Sequence, residues 1–104
     1  MDREERRIEL NGILENILGS ENVYYQPPES IRMNYPAIVY ERDHIRHGRA
    51  DNISYRTHTA YRITLVDYEP DSIVIDKLLK MPYCSHVSHN VVDNLNQDIF
   101  TIYY

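Results

Sequence analysis

Leu10, Ile13, Leu14, Ile17 and Leu18 recur at i, i+3, i+4, i+7 and i+8 in an otherwise polar segment, and this stripe predicts a helix over residues 2–18. Its first two turns are almost wholly charged, with Asp2 and Arg6 spaced to pair, and Gly19 stands where a left-handed residue would end it. Beyond Gly19 the apolar period falls from about 3.6 to 2. "YPAIVYERD" predicts a strand over 36–42, with Ala37, Val39 and Glu41 on one face and Ile38, Tyr40 and Arg42 on the other. "HTAYRITLVD" predicts its partner, placing Thr59, Tyr61, Ile63 and Leu65 opposite a more polar set of His58, Ala60, Arg62, Thr64 and Val66. A polar second face means that one side of the sheet is covered and the other is wet. "NVYYQPP" either starts a strand or leads into one, and its two prolines keep it out of the centre of a ladder.

In "YEPDS", Asp71 or Ser72 is suited to cap a short helix whose apolar side is Val74, Ile75, Leu78 and Leu79, with Pro82 ending it. Cys84 to Val92 and Asp98 to Tyr104 then read as a closing hairpin around "DNLNQ". The order is α-β-β-β-α-β-β, or α-β-β-α-β-β if residues 23–26 are irregular. Residues 1–104 therefore form one α+β domain, an antiparallel sheet of four to five strands with two helices packed on one face. "HIRHGRADNIS" is too long for a two-residue turn and predicts a loop over 44–54, functional or variable in conformation. "IFTIYY" poses a choice. A last strand is frayed unless tied down, so it sits either in mid-sheet with Phe100 and Ile102 in the core, or at an edge with Tyr103 and Tyr104 offered to a partner.

Composition adds to this picture mainly through ten Tyr against one Phe and no Trp, an excess that leans towards a contact surface although Tyr is also a good strand former. A net charge of −5 gives no general attraction to a phosphate backbone, which argues against sequence-specific nucleic-acid binding. No apolar run approaches the roughly 20 residues of a membrane span, and no secretory leader is legible. One cysteine fits a reducing compartment.

The candidate chemistry is thin. His86 and His89 are spaced i, i+3, which on a regular strand puts them on opposite faces and excludes a shared metal ion unless a bulge intervenes. Cys84 and His86 share a face and give the best enzyme reading, a cysteine hydrolase, against which stands the common role of a lone cysteine as a small buried hydrophobe. Asp67, Glu69 and Asp71 precede a helix, where carboxylates serve as caps. With Gly12, Gly19 and Gly48 alone, there is no phosphate-cradling loop. Arg42, His44, Arg46, His47 and Arg49 make the one local basic patch, either a solvated tip or a projecting arm that touches a protein neighbour or lies near passing nucleic acid.

"YPAIVYERD", then "ADNISY" ahead of "YRITLVDYEPDS", and finally "DNLNQDIFTIYY" resemble, in that order and from about Val23 to Tyr104, the tail terminator or tail-completion proteins of long-tailed bacteriophages. The family pattern is closer to "DNLNHD" where this chain carries Gln97, so no role is assigned to that side chain. The resemblance implies a non-enzymatic, cofactor-free virion protein. It would stack as a ring, a hexamer when assembled, on the finished tail-tube protein and present its other face to the head connector. It would be found at the head–tail interface after assembly and in the host cytoplasm before it. Another neck or head-closure component shares these traits. Candidate assembly-interface residues are Arg42, His44, Arg46, His47, Arg49, Tyr103 and Tyr104.

Overall fold

The computed structural model describes residues 2–50 and 53–104, with side chains placed for residues 2–45 and 59–104. The first helix, α1 (Arg3–Leu18), starts where its stripe predicts. Asp2 is its N-cap and accepts from the Glu5 amide at 2.8 Å, and Gly19 ends it at φ 82° with its amide on the Glu15 carbonyl. Asp2 is therefore a cap. Arg6 reaches instead across to the far end of the chain, where it donates to the main-chain oxygen of Tyr104.

Among the described residues, five strands form one sheet in the order β1-β2-β3-β5-β4: β1 (Val23–Tyr25), β2 (Ala37–Ala50), β3 (Ile53–Asp67), β4 (Cys84–Val92) and β5 (Leu95–Tyr103). The α+β class and the five-strand count agree with the sequence, and the sheet is mixed because β1 lies parallel to β2, with Val23 opposite Ile38. A parallel neighbour needs a crossover. Residues 26–36, which carry the two prolines of "YYQPP", supply it. The remaining pairs are antiparallel.

The register aligns Tyr40, Ile63 and Phe100 across three strands, and Ile38 with Leu65 and Tyr61 with Ile102 beside them, all without solvent exposure or nearly so. Leu10 and Leu14 of α1, and Val74 and Leu78 of α2 (Ile73–Leu79, capped by Ser72), close this face. Each fully buried aliphatic side chain contributes about 1.5–3 kcal/mol. The two helices thus share one face, as the alternation of polar and apolar positions requires, and the second face carries Val39, Glu41, Arg62, Thr64, Ile99, Thr101 and Tyr103.

The turn between β4 and β5 is tighter than "DNLNQ" implies. Asp93 and Asn94 both have positive φ, 52° and 66°, the backbone of a two-residue primed hairpin turn. Leu95 and Asn96 are thereby released into the ladder, opposite Val92 and Val91.

The largest departure from the sequence reading is at residues 44–54. Pairing of β2 with β3 continues through Arg46↔His58, His47↔Thr57 and Gly48↔Arg56 to Ala50↔Ile53, so the expected loop is the far end of a hairpin, with Asp51 and Asn52 outside the described residues. β1 stops at Tyr40 and β5 at Ala60, so beyond those points only two strands remain. Seven residues of β2 past the bulge rise about 20 Å at some 3.3 Å each. The molecule accordingly measures 49 × 23 × 23 Å.

Candidate assembly interface

Arg42 and His44 lie on the two sides of a β-bulge. Arg42 pairs with Tyr61 and His44 with Ala60, leaving Asp43 as the extra residue. A bulge re-aims the side chains that follow it. Arg42 therefore belongs to the helix-covered side, and His44 to the open face, where its ring meets Tyr103 edge-on at 6.0 Å. Arg46, His47 and Arg49 continue along β2 in backbone register with His58, Thr57 and Ser54. The candidate patch is thus strung along one arm and is divided at its base.

The two tyrosines that end the chain also part company. β5 is hydrogen-bonded to β3 on one side and β4 on the other, so the strand is central and the open-edge alternative is overturned. Tyr103 faces the open side beside His44, while Tyr104 turns onto α1. Its hydroxyl donates to Glu9, its ring lies 5.6 Å from the Arg6 guanidinium, and its amide donates to the Thr59 carbonyl at 2.9 Å. Burial and then the hydrogen bond to Glu9 push the Tyr104 phenol up to about 12. Tyr104 is a clamp between β5 and α1. Among the described residues β1 and β4 are the sheet edges, and on β4 Val87, Val91 and Val92 are exposed.

That edge contains a second bulge, at Val87, and it reverses the expected facing of the histidines. His86 is opposite Phe100, Ser88 opposite Ile99 and His89 opposite Asp98, so both histidines are on the helix side. Asp98, with its side chain only 7% exposed, accepts from His86 Nε2 at 3.0 Å, and His89 Nδ1 lies 3.7 Å from the same oxygen. Asn96 commits its amide nitrogen to the Asp67 and Tyr68 carbonyls, so its oxygen accepts from His89 Nε2 at 3.2 Å. The cluster satisfies a buried carboxylate and ties the β4–β5 hairpin to the turn after β3. Among the described residues no group of three or more His, Cys, Asp or Glu is placed to hold a metal ion. Cys84 is on the same face as His86, yet burial pushes its thiol up to about 11, the opposite of what a nucleophile requires.

Three of the ten tyrosines are internal. Tyr25, Tyr40 and Tyr61 pack with ring centroids 4.8, 6.0 and 6.5 Å apart, and Tyr40 donates to Asn11 of α1 at 2.6 Å. Burial raises the phenols of Tyr40 and Tyr61. Tyr40 and Tyr61 are fully buried and Tyr25 half-buried, whereas Tyr68 and Tyr83 are largely exposed.

Sequence reasoning missed the cleft above this cluster. Asp2, Arg3, Glu4 and Arg7 of the helix start, Arg42 of β2, and Tyr25 and Tyr61 beneath them enclose about 410 Å³. Arg7 stacks over Tyr25 at 4.4 Å, and no carboxylate lies within ion-pair distance of Arg3, Arg7 or Arg42 among the described residues. The signal was present. Two arginines at i, i+4 in the first turns of a helix oppose its dipole, which favours anions there by about 0.3–1 kcal/mol.

No family model matches the chain, and a search of curated proteins also finds no match.

Proposed function

We propose that this chain is a structural assembly protein of the tail-terminator kind, which forms a ring on a finished phage tail tube, ends its growth and joins it to the head connector. One observation carries the reading: β2 and β3 run on as a two-stranded ribbon from Arg46 to Ala50, five residues or about 16 Å past the last backbone contact with the end of β5. An isolated two-stranded ribbon is marginally stable in water by itself. It is the kind of element that acquires its stabilisation from a neighbour.

Support also comes from the quiet chemistry of the one cysteine and from the exposed β4 edge, which offers main-chain groups to an extended partner segment. The ring, the tube and the connector enter through the resemblance of the ordered motifs "YPAIVYERD", "YRITLVDYEPDS" and "DNLNQDIFTIYY". The test mixes purified protein with tails that lack a terminator and scores tube length and head joining by electron microscopy. Addition of the protein is expected to fix tube length and restore joining. Tubes that keep growing and heads that stay unjoined would exclude the reading.

A further inference from the structure

We infer that copies of this chain associate head to tail, the acidic turn of one, Asp67 to Asp71, seating in the Arg3, Arg7 and Arg42 cleft of the next. The inference rests on the assembly reading and supplies its subunit contact.

The cleft is built for an anion. It has three guanidinium groups, a floor of two tyrosine rings, and only Asp2 and Glu4 as acidic members, of which Asp2 is already engaged as the helix cap. Arginine on an aromatic face is weakly hydrated and presents a planar fork that matches a carboxylate. The nearest built counterpart on the same molecule lies at the other pole of the sheet. Arg42 is opposite Tyr61, and Asp67 is six residues further along β3, about 20 Å at 3.3 Å per residue.

The turn there is held in shape by its own acids. Asp67 accepts from the Glu69 amide at 3.0 Å, and Glu69 accepts from the Asp71 amide at 3.1 Å, each through one oxygen, and Glu69 and Asp71 are exposed. Asn96 fixes the turn from below through the Asp67 and Tyr68 carbonyls. A negative turn at one pole, and at the other a cleft whose arginines have no carboxylate in ion-pair range among the described residues, cannot meet within one copy. Between copies they make a heterologous contact, which closes into a ring or runs on as a filament according to the rotation it imposes. Seated this way, the turn of one copy lies at the base of its neighbour's arm, beside Arg42 on the helix-covered side.

The test uses the full chain and sedimentation velocity at low salt. Wild-type protein is expected to associate with rising concentration and to dissociate as salt is raised. Arg3→Glu with Arg42→Glu in one variant, and Glu69→Arg with Asp71→Arg in another, should each weaken self-association by roughly a hundredfold. An equimolar mixture of the two variants should associate again, because each mixed contact pairs opposite charges. Thermal melting guards against misfolding, and Arg3→Glu favours the helix dipole. A wild-type chain that stays monomeric at several hundred micromolar overturns the contact, as does association that neither reversal weakens. In the second case the ring reading still stands on the tail-tube assay. Charge-dependent association by a protein that ignores tail tubes would uphold this contact and remove the ring-on-tube reading.

Discussion

β2 and β3 pass through two different environments, and the contrast between them explains most of the molecule. In the base, Ile38, Tyr40, Ile63 and Leu65 are sealed under α1 and α2, and each residue is held by both the ladder and burial. Past Ile45 and Thr59 the same two strands continue without β1 or β5 paired beside them. There the ladder acts alone. An isolated two-stranded ribbon is marginally stable in water, so the base carries the fold and the arm depends on it. The direction of dependence is testable by damaging each in turn.

The largest effect is expected at Leu14. It has no solvent exposure and sits mid-stripe between α1 and the sheet, so Leu14→Asp places an unpaired carboxylate in the core. That costs several kcal/mol, comparable to the whole stability of a small domain. Loss of cooperative melting and of near-ultraviolet circular dichroism is the expected outcome. A variant that melts like the wild type would show that the helix does not cover the sheet as described.

Tyr104→Ala comes next. The ring, the hydroxyl bond to Glu9 and the Arg6 contact link β5 to α1 at the base, and truncation should cost about 2–4 kcal/mol in urea unfolding. Arg6→Ala removes part of the same link, and about 1 kcal/mol is expected. Arg6 reads from the sequence as a solvated helix residue, and a silent Arg6→Ala would return it to that role.

The base also stores a response to alkali. Cys84, Tyr40, Tyr61 and Tyr104 all have raised pKa values, each chiefly because burial disfavours the charged form. A group whose folded pKa lies above its unfolded value contributes fully below the unfolded value and loses that contribution as pH rises through the folded one. Stability should therefore hold to about pH 9, where a free thiol begins to ionise, and then fall through 11 and 12. Tyr104→Phe should flatten the upper part of that fall. Cys84 should react slowly with iodoacetamide at neutral pH, and rapid alkylation would contradict its burial.

How much of this was legible in the sequence follows the same division. Burial writes a period into the chain, so α1 with its Asp2 and Gly19 ends, the faces of the base strands and the Ser72 cap could all be read from residues. A ladder of main-chain hydrogen bonds by itself writes no apolar period, so "HIRHGRADNIS" looks like a loop. The two bulges, at Asp43 and Val87, were equally silent, because inserting one residue alters facing without altering composition. The His86, His89 and Asp98 cluster depends on the second of them. Among the candidate residues, Arg42 and His44 were found but not their opposite faces. Arg3 and Arg7 were hidden by being read as ordinary charged helix positions.

The smallest effect on stability should come from the arm itself. Excising residues 46–58 and joining Ile45 to Thr59 through Asn-Gly keeps every residue of the buried cluster and the whole of the β3–β5 pairing. Asn-Gly supplies the positive φ that a two-residue hairpin turn needs. The lost ladder bonds are replaced by bonds to water and contribute little net, and shortening the connection recovers a few tenths of a kcal/mol of closure entropy. A change of no more than about 1 kcal/mol in urea unfolding is expected, with cooperative melting intact. On the tail-tube assay the same protein should fail. The two readouts separate the two regions: a stable base that no longer joins heads to tails puts assembly in the arm, and a stable base that still joins them would leave the arm without the role argued for it. Collapse of the base on excision would mean that β2 and β3 are held from the tip inward, and the dependence drawn from the register would be reversed.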